Sequence, residues 1–221
     1  MKKFKNIIAN VLRLLFGKTP NNFKTNPLWI KYLNSHFVPI DSDVVSITSC
    51  PDNIMKLDII IPTIGRSTIE RAILSAQHED VETNILISGS ESCAGHNRNI
   101  CLKKDTGSDW IVFVDDDDFL SPGYHKELDS NYDIVVLRMK QSQNIIPNPL
   151  DNTIRFGNVG INIAISSKFY KQTNVIFGMG HGEDWRFIKQ LLSFKPRIKI
   201  TKDIYYNAPT SAHLSKELGN V

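Results

Sequence analysis

Apolar segments that alternate with helical patterns constrain the fold of this chain most strongly. Three short apolar runs lie at residues 57–61, 84–87 and 110–114. Nearly continuous apolar runs of this length are typical of strands buried on both faces. Helices are predicted between them, over residues 67–77 and 95–104. This strand–helix order predicts an α/β fold with a doubly wound, mostly parallel sheet flanked by helices.

The second half of the chain has weaker patterns. A helix is predicted over residues 122–128, a strand over 133–137 and a turn-rich surface segment over 141–158. A strand over 162–165 and a short helix near Lys168 follow. The clearest patterns are an amphipathic helix over 183–194 and an alternating strand over 197–206.

Four consecutive aspartates, Asp115 to Asp118, follow the third apolar run directly. Carboxylates this close raise each other's pKa, and a divalent cation relieves the repulsion. Side chains alternate along an extended segment, so Asp115 and Asp117 are expected on one side. Asp116 and Asp118 are expected on the other. One pair can then bind Mg²⁺ or Mn²⁺ together with phosphate oxygens. An acidic turn that caps a helix near Pro122 is the alternative.

A second acidic pair, Glu183 and Asp184, follows a glycine-rich stretch and opens a predicted helix. Either carboxylate can take a proton from an incoming hydroxyl as a general base, although acids are also ordinary at helix N-termini. Arg98, in the first turn of the helix over 95–104, is a candidate phosphate ligand, with a surface arginine as the alternative. His213 is a candidate for completing a metal shell, with a histidine of no functional role as the alternative.

The N-terminal region has a charge pattern of its own. Residues 1–40 contain seven basic residues and no acidic one, although the whole chain has a net charge of only +3. The remainder is therefore acidic overall, which disfavours nucleic acid as its partner. Apolar residues at helical spacing over 4–16 predict a basic amphipathic helix, which binds an anionic membrane surface peripherally or packs on the body. We expect this helix and an irregular connector over residues 1–56, and one α/β domain over residues 57–221.

Cysteine content and hydropathy bear on the compartment. The three cysteines form neither a disulfide framework nor a zinc-ligand spacing, and no apolar run approaches the ~20 residues that span a bilayer. We expect a cytoplasmic protein, with a peripheral site at the inner face of a membrane as the alternative.

Three motifs in this order resemble the family 2 glycosyltransferases of GT-A fold, over about residues 57–206. The first is Ile59-Ile-Ile-Pro-Thr63 with Arg66, which is similar to the family's first strand and nucleotide loop. The second is His96-Asn-Arg-Asn99, followed by the aspartate-rich stretch 106–118. The third is Gly182-Glu183-Asp184, similar to the family's glycine–glutamate–aspartate motif.

The resemblance implies a metal-dependent, inverting transfer of a sugar from a nucleotide-diphospho sugar to a hydroxyl of a glycan or lipid-linked acceptor. Asp117 and Asp115 are the implied ligands of Mn²⁺ or Mg²⁺, with His213 as a further candidate. Asp184 is the implied catalytic base and Glu183 the fallback. The implied nucleotide-binding residues are Pro62, Thr63, Arg66, Ser88, Arg98, Asp115 and Asp116.

One turn departs from the family pattern. The family usually has an acid after its second strand that contacts the nucleobase, whereas this chain has Ser88-Gly-Ser90. Ser88, Ser90 and Glu91 are the candidates to replace it. Two other classes stay open: a nucleotidyl- or phosphotransferase that uses the same acids, and a catalytically degenerate GT-A-like protein that binds a glycan or partner.

Overall fold

A computed structural model describes residues 37–39 and 45–49 as backbone, and residues 54–89 and 93–209 in full. The basic helix predicted over residues 4–16 lies outside the described residues, as do Ser90, Glu91 and His213. Within the described ranges, no helix combines the length and the hydropathy that crossing a membrane requires.

The described elements form a ten-stranded sheet with helices packed against it. The strands are β1 (Phe37–Pro39), β2 (Val45–Ser49), β3 (Lys56–Pro62), β4 (Glu82–Ser88), β5 (Trp110–Phe113), β6 (Phe119–Leu120), β7 (Ile134–Gln141), β8 (Asn144–Ile146), β9 (Ile163–Ser166) and β10 (Ile198–Ala208). The α-helices are α1 (Ile69–Ala76), α2 (Ala94–Leu102), α3 (Ser167–Thr173) and α4 (Glu183–Leu192). A 3₁₀ helix, Tyr124–Glu127, occupies the segment predicted as helical over 122–128.

The centre of the sheet is the predicted doubly wound unit. The strand order is β1-β2-β4-β3-β5-β9-β7-β10-β6, with β8 paired to β7. Strand β3 lies between β4 and β5 and is parallel to both, and β10 is parallel to β7. Connections from β3 to β4 and then back across to β5 place successive helices on opposite faces of the sheet. The predicted α/β class and doubly wound parallel core are therefore confirmed.

Two regions of the sheet depart from parallel pairing. Strand β9 runs antiparallel between β5 and β7, because the chain returns through the turn-rich segment rather than through a crossover helix. Strands β1 and β2 extend the opposite edge, where β2 is antiparallel to β4. The connector predicted to be irregular over residues 19–56 therefore contains two short strands. The alternation in Val45-Ser-Ile-Thr-Ser49 is the sequence signal for β2.

Asp58, the polar residue within the first apolar run, is buried inside the fold. Asp58 is buried in β3, where it accepts hydrogen bonds from Thr106 Oγ1 at 2.6 and 2.7 Å and from Asn84 Nδ2 at 3.2 Å. Burial raises the pKa of Asp58, and these hydrogen bonds oppose that rise. The network ties the connection before β5 to β3, at the edge of the sheet opposite the aspartate run.

A buried tyrosine joins the 3₁₀ helix to the end of α1. The Tyr124 hydroxyl donates to the carbonyl oxygen of Ala76 at 2.6 Å, which satisfies one of the helix-end carbonyls. We expect Tyr124→Phe to lower the free energy of unfolding by about 1–2 kcal/mol, because it leaves this buried carbonyl without its donor. Urea unfolding followed by circular dichroism measures the change. Tyr132→Phe, at a half-buried position, is the matched control, and equal losses in both variants would contradict the assignment.

Candidate active site

Segments that are distant in the sequence meet at one edge of the sheet. The carboxyl ends of β3, β5 and β10 point to the same edge, because β10 is parallel to β7 and β7 has the direction of β5. The first turns of α2 and α4 lie against it, as the contacts below show. Open α/β sheets bind ligands at this edge.

A tight turn closes the aspartate run. The backbone nitrogen of Asp118 donates to the carbonyl oxygen of Asp115 at 3.0 Å, so the segment is not extended. One carboxylate oxygen each from Asp115, Asp117 and Asp118 lies within 4.8 Å of the others. The expected alternation is therefore wrong for Asp118, which joins Asp115 and Asp117 because the turn redirects it. Asp116 alone of the four points away from this group.

Asp116 organises the loop after β3. Its carboxylate accepts hydrogen bonds from Thr63 Oγ1 at 2.7 Å, the Ile64 nitrogen at 3.1 Å and Arg66 Nη1 at 2.5 Å. Asp116 is only 2% exposed, and Thr63 and Pro62 are buried as well. In this structure Asp116 positions the loop, and the expected contact of these three residues with nucleotide stays a prediction. Arg66 remains accessible at the surface of this loop.

Ser88 does not face the crevice. It is fully buried at the end of β4, and its hydroxyl donates to Asn97 Oδ1 at 3.1 Å. The hydroxyl of Ser88 is bonded inside the core, and its expected replacement of the missing carboxylate stays a prediction. Ser90 and Glu91 stay predictions.

A buried arginine connects the two acidic motifs. Arg98 is 2% exposed, and its Nη2 donates to Asp115 Oδ1 at 2.6 Å. Its Nη1 donates to Glu183 Oε1 at 3.0 Å and to Asp184 Oδ1 at 2.9 Å. Burial opposes the charged form, but the three carboxylates outweigh it and raise the pKa of Arg98. The aspartate turn and the predicted base thus share one guanidinium.

The direct partners of Arg98 are carboxylates rather than solvent. Its guanidinium also lies over the Phe177 ring, 5.1 Å from the ring centroid. The structure therefore gives Arg98 a positioning role between Asp115 and Asp184. Its predicted contact with phosphate stays a prediction.

Several acids of this site resist ionisation. Burial raises the pKa of Asp184 to about 6, and the Arg98 charge opposes the rise. Burial and then the Asp115 charge raise the pKa of Asp118 to about 8, and burial also raises the pKa of Asp117. Crowded carboxylates of this kind are relieved by a cation. Three carboxylates within 4.8 Å of one another fit Mg²⁺ or Mn²⁺, which prefer oxygen ligands.

Tyr206 supports the aspartate turn from beneath. Its hydroxyl donates to Asp118 Oδ2 at 2.7 Å and accepts from the Asp115 nitrogen at 3.2 Å. Tyr206 is fully buried in β10, near the carboxyl end of that strand. Sequence reasoning missed this residue, because a buried tyrosine in an alternating strand carries no sign of a partner 88 positions away.

The glycine-rich loop before α4 is held by side chains. Asn99 pairs with the backbone of Phe177 through two hydrogen bonds of 2.8 and 2.9 Å. Arg186 donates to the carbonyl oxygens of Met179, Gly180 and His181, with distances of 3.1 Å to Gly180 and 2.7 Å to His181. The loop that precedes Asp184 is therefore fixed from both ends, which fixes the position of the carboxylate.

Structures of S. aureus TarS are similar to this chain. TarS 1–349 aligns with a TM-score of 0.55 and 16% identity over 73% of this chain and 63% of the TarS chain. TarS 1–349 in complex with UDP-GlcNAc aligns with a TM-score of 0.54 and 18% identity, over 71% of this chain and 59% of TarS. No protein-family model and no curated protein matches. The chain has the GT-A fold that the motifs predicted, and it spans less than two thirds of these TarS chains.

Close packing between α2 and the glycine-rich loop generates a prediction. A Cβ at Gly95 would lie 2.7 Å from the carbonyl oxygen of Gly178, closer than real contacts allow. We expect Gly95→Ala to lower the free energy of unfolding by about 1–3 kcal/mol despite the better helix propensity of alanine, because the loop must move. Urea unfolding measures this loss.

Gly160→Ala is the matched control. A Cβ at Gly160 would meet its nearest atom, Asn162 Oδ1, at 3.9 Å, which is an ordinary contact. Its unfolding free energy should stay within about 0.5 kcal/mol of the parent protein. A stable Gly95→Ala variant would show that the loop adjusts freely.

Proposed function

We propose that this protein is a metal-dependent, inverting glycosyltransferase that moves a sugar from a nucleotide-diphospho sugar to a hydroxyl of a glycan or lipid-linked acceptor. The observation that carries the proposal is the shared guanidinium of Arg98. It holds Asp115 of the aspartate turn and Asp184 of α4 within hydrogen-bond distance of one side chain. A cation-binding corner and a proton acceptor therefore face one crevice, which is the arrangement that sugar transfer needs.

The chemistry assigns different tasks to the two acidic groups. Asp184 takes the proton of the acceptor hydroxyl, whose oxygen then forms a bond to the anomeric carbon of the donor. The bond from that carbon to the diphosphate oxygen breaks, and the nucleoside diphosphate leaves with the electron pair. A direct displacement of this kind inverts the anomeric centre. Glu183, on the same guanidinium atom as Asp184, is the fallback base.

The residues that would hold the cation are Asp115, Asp117 and Asp118, with the first two as expected from the sequence. Mg²⁺ or Mn²⁺ bound there supplies positive charge for the departing diphosphate. Arg66 contacts Asp117 at 3.3 Å and Asp116 at 2.5 Å, so its guanidinium lies beside the same corner. The UDP-GlcNAc bound by TarS makes UDP-sugars the first donors to test.

Removal of either acidic group tests the proposal. We expect Asp184→Asn to lower kcat by about 10²–10⁴-fold, the usual contribution of a general base. Asp117→Ala should abolish metal-dependent transfer, and chelation by EDTA should do the same to the parent protein. Release of nucleoside diphosphate from a panel of nucleotide sugars, with and without Mn²⁺, measures the effect.

Asp105→Asn is the control for these variants. Asp105 is an exposed acid paired with Lys171 at 2.8 Å, in the connection that leads to the amino end of β5. Its turnover should equal that of the parent protein. Unchanged turnover in both active-site variants would refute the proposal. Cleavage of nucleotide sugars without transfer to any acceptor would favour a phosphotransferase or hydrolase.

The pKa of Asp184 predicts the pH dependence of the reaction. Because burial raises this pKa to about 6, the carboxylate is protonated below that value and cannot accept the acceptor's proton. We expect kcat/KM to increase with pH up to about 6 and to level off above it. Rates measured at fixed Mn²⁺ across this range give the profile, and a flat profile through pH 6 would exclude Asp184 as the base.

A further inference from the structure

The turn-rich segment 141–158 is anchored by a buried arginine. Arg138, at 4% exposure, donates through Nε to the Thr201 carbonyl oxygen at 3.0 Å. Its two terminal nitrogens donate to the Pro147 carbonyl oxygen and, at 2.9 Å, to Asn152 Oδ1. These bonds hold the segment to the body at Pro147 and Asn152, although most of its residues are exposed.

The end of this segment is a compact turn with its own hydrogen bonds. Asp151 accepts from Thr153 Oγ1 and from Arg155 Nη2, each at 2.6 Å. Asn158 accepts from the Arg155 nitrogen at 2.7 Å and donates to the Thr153 carbonyl oxygen. Gly157, at φ +82°, supplies the left-handed backbone that closes the turn. These bonds fix the residue between Arg155 and Gly157.

That residue is Phe156, an aromatic side chain that folding does not bury. It is 72% exposed, and its ring meets the ring of Trp185 with centroids 6.2 Å apart and planes at 70°. Trp185 directly follows Asp184, so their Cα atoms are about 3.8 Å apart. Trp185 is half-buried and packs on the core, and it occupies the same first turn of α4 as the proposed base.

The chemistry of this pair suits a sugar ring. A pyranose has C–H groups on one face, which pack on aromatic rings, and hydroxyls around its rim, one of which must reach Asp184. A hydrocarbon chain would need a wide continuous apolar surface, whereas charged and polar side chains of the turn, Asp151, Arg155 and Asn158, lie next to Phe156 in the chain. We propose that Phe156 and Trp185 form the acceptor subsite and stack on a pyranose ring of a glycan. This rests on the proposed function and names its acceptor class.

Saturation-transfer NMR tests binding without requiring turnover. The probes are methyl pyranosides of glucose, galactose, mannose and N-acetylglucosamine, added to the full chain with UDP and Mn²⁺. We expect saturation of the ring C–H protons of at least one probe, and its loss in Phe156→Ala. Phe156→Trp should restore it. Leu150→Ala is the matched control, because Leu150 is a 97% exposed apolar residue of the same segment.

Kinetics separate this subsite from the donor site. In Phe156→Ala, the KM for the acceptor should rise about fivefold to tenfold, the range expected for one aromatic contact, with the donor KM unchanged. Trp185→Leu should have a similar effect and keep the packing on the core. Donor hydrolysis without acceptor should proceed at the parental rate in the control variant Leu150→Ala. If the parent protein released no nucleoside diphosphate from any donor, the result would count against the proposed function rather than against the subsite.

Three results would overturn the subsite. One is the absence of ring-proton saturation for every probe with the parent protein. Another is an acceptor KM that Phe156→Ala leaves unchanged. The third comes from octyl glucoside, added as a further probe: saturation of its alkyl chain alone would identify a lipid rather than a sugar ring as the occupant.

Discussion

The ion pairs of Arg98 are the interaction on which the rest of the site depends. A buried guanidinium costs several kcal/mol unless carboxylates and good geometry compensate it. Arg98 has three carboxylates, and they come from two motifs that lie 68 or more positions apart, Asp115 on one side and Glu183 and Asp184 on the other. Loss of the arginine would leave these acids repelling one another. The same contacts that keep a charge buried therefore assemble the crevice.

Other buried polar groups extend this framework to the surrounding loops. Asp116 holds the loop after β3, and Tyr206 holds the aspartate turn against β10. Asp116 and Tyr206 have their hydrogen-bond partners inside the protein, and each fixes the position of a more exposed neighbour. The exposed groups of the site are consequently placed by buried ones. This division explains how several acids are positioned at one edge of the sheet.

The fold was largely predictable because burial on both faces leaves continuous apolar runs, as in β3 and β5. The motifs singled out the acidic residues that the structure brings together, but the sequence did not predict the contacts among them. Asp118 was expected on the side of Asp116, because side chains alternate along a strand. A hydrogen bond from the Asp118 nitrogen to the Asp115 carbonyl oxygen forms a turn that breaks this alternation, and no sequence pattern announces it. Tyr206 was missed for a similar reason. Such partners are set by the packing of distant strands, which no local spacing encodes.

The burial of Arg98 also bears on which arginine side chain can reach the diphosphate of a bound donor. To reach a phosphate, Arg98 would have to give up hydrogen bonds of 2.6 to 3.0 Å to three acids inside the protein, leaving carboxylates uncompensated. Arg66 has fewer contacts to give up: its side chain is 45% exposed, and its Nη1 pairs with the buried Asp116 at 2.5 Å and with Asp117 at 3.3 Å. Its remaining nitrogens can reach a ligand while the bond to Asp116 is kept. Under the proposed function, the charge balance therefore favours Arg66 as the arginine for the phosphate, with Arg98 as the residue that positions the acids.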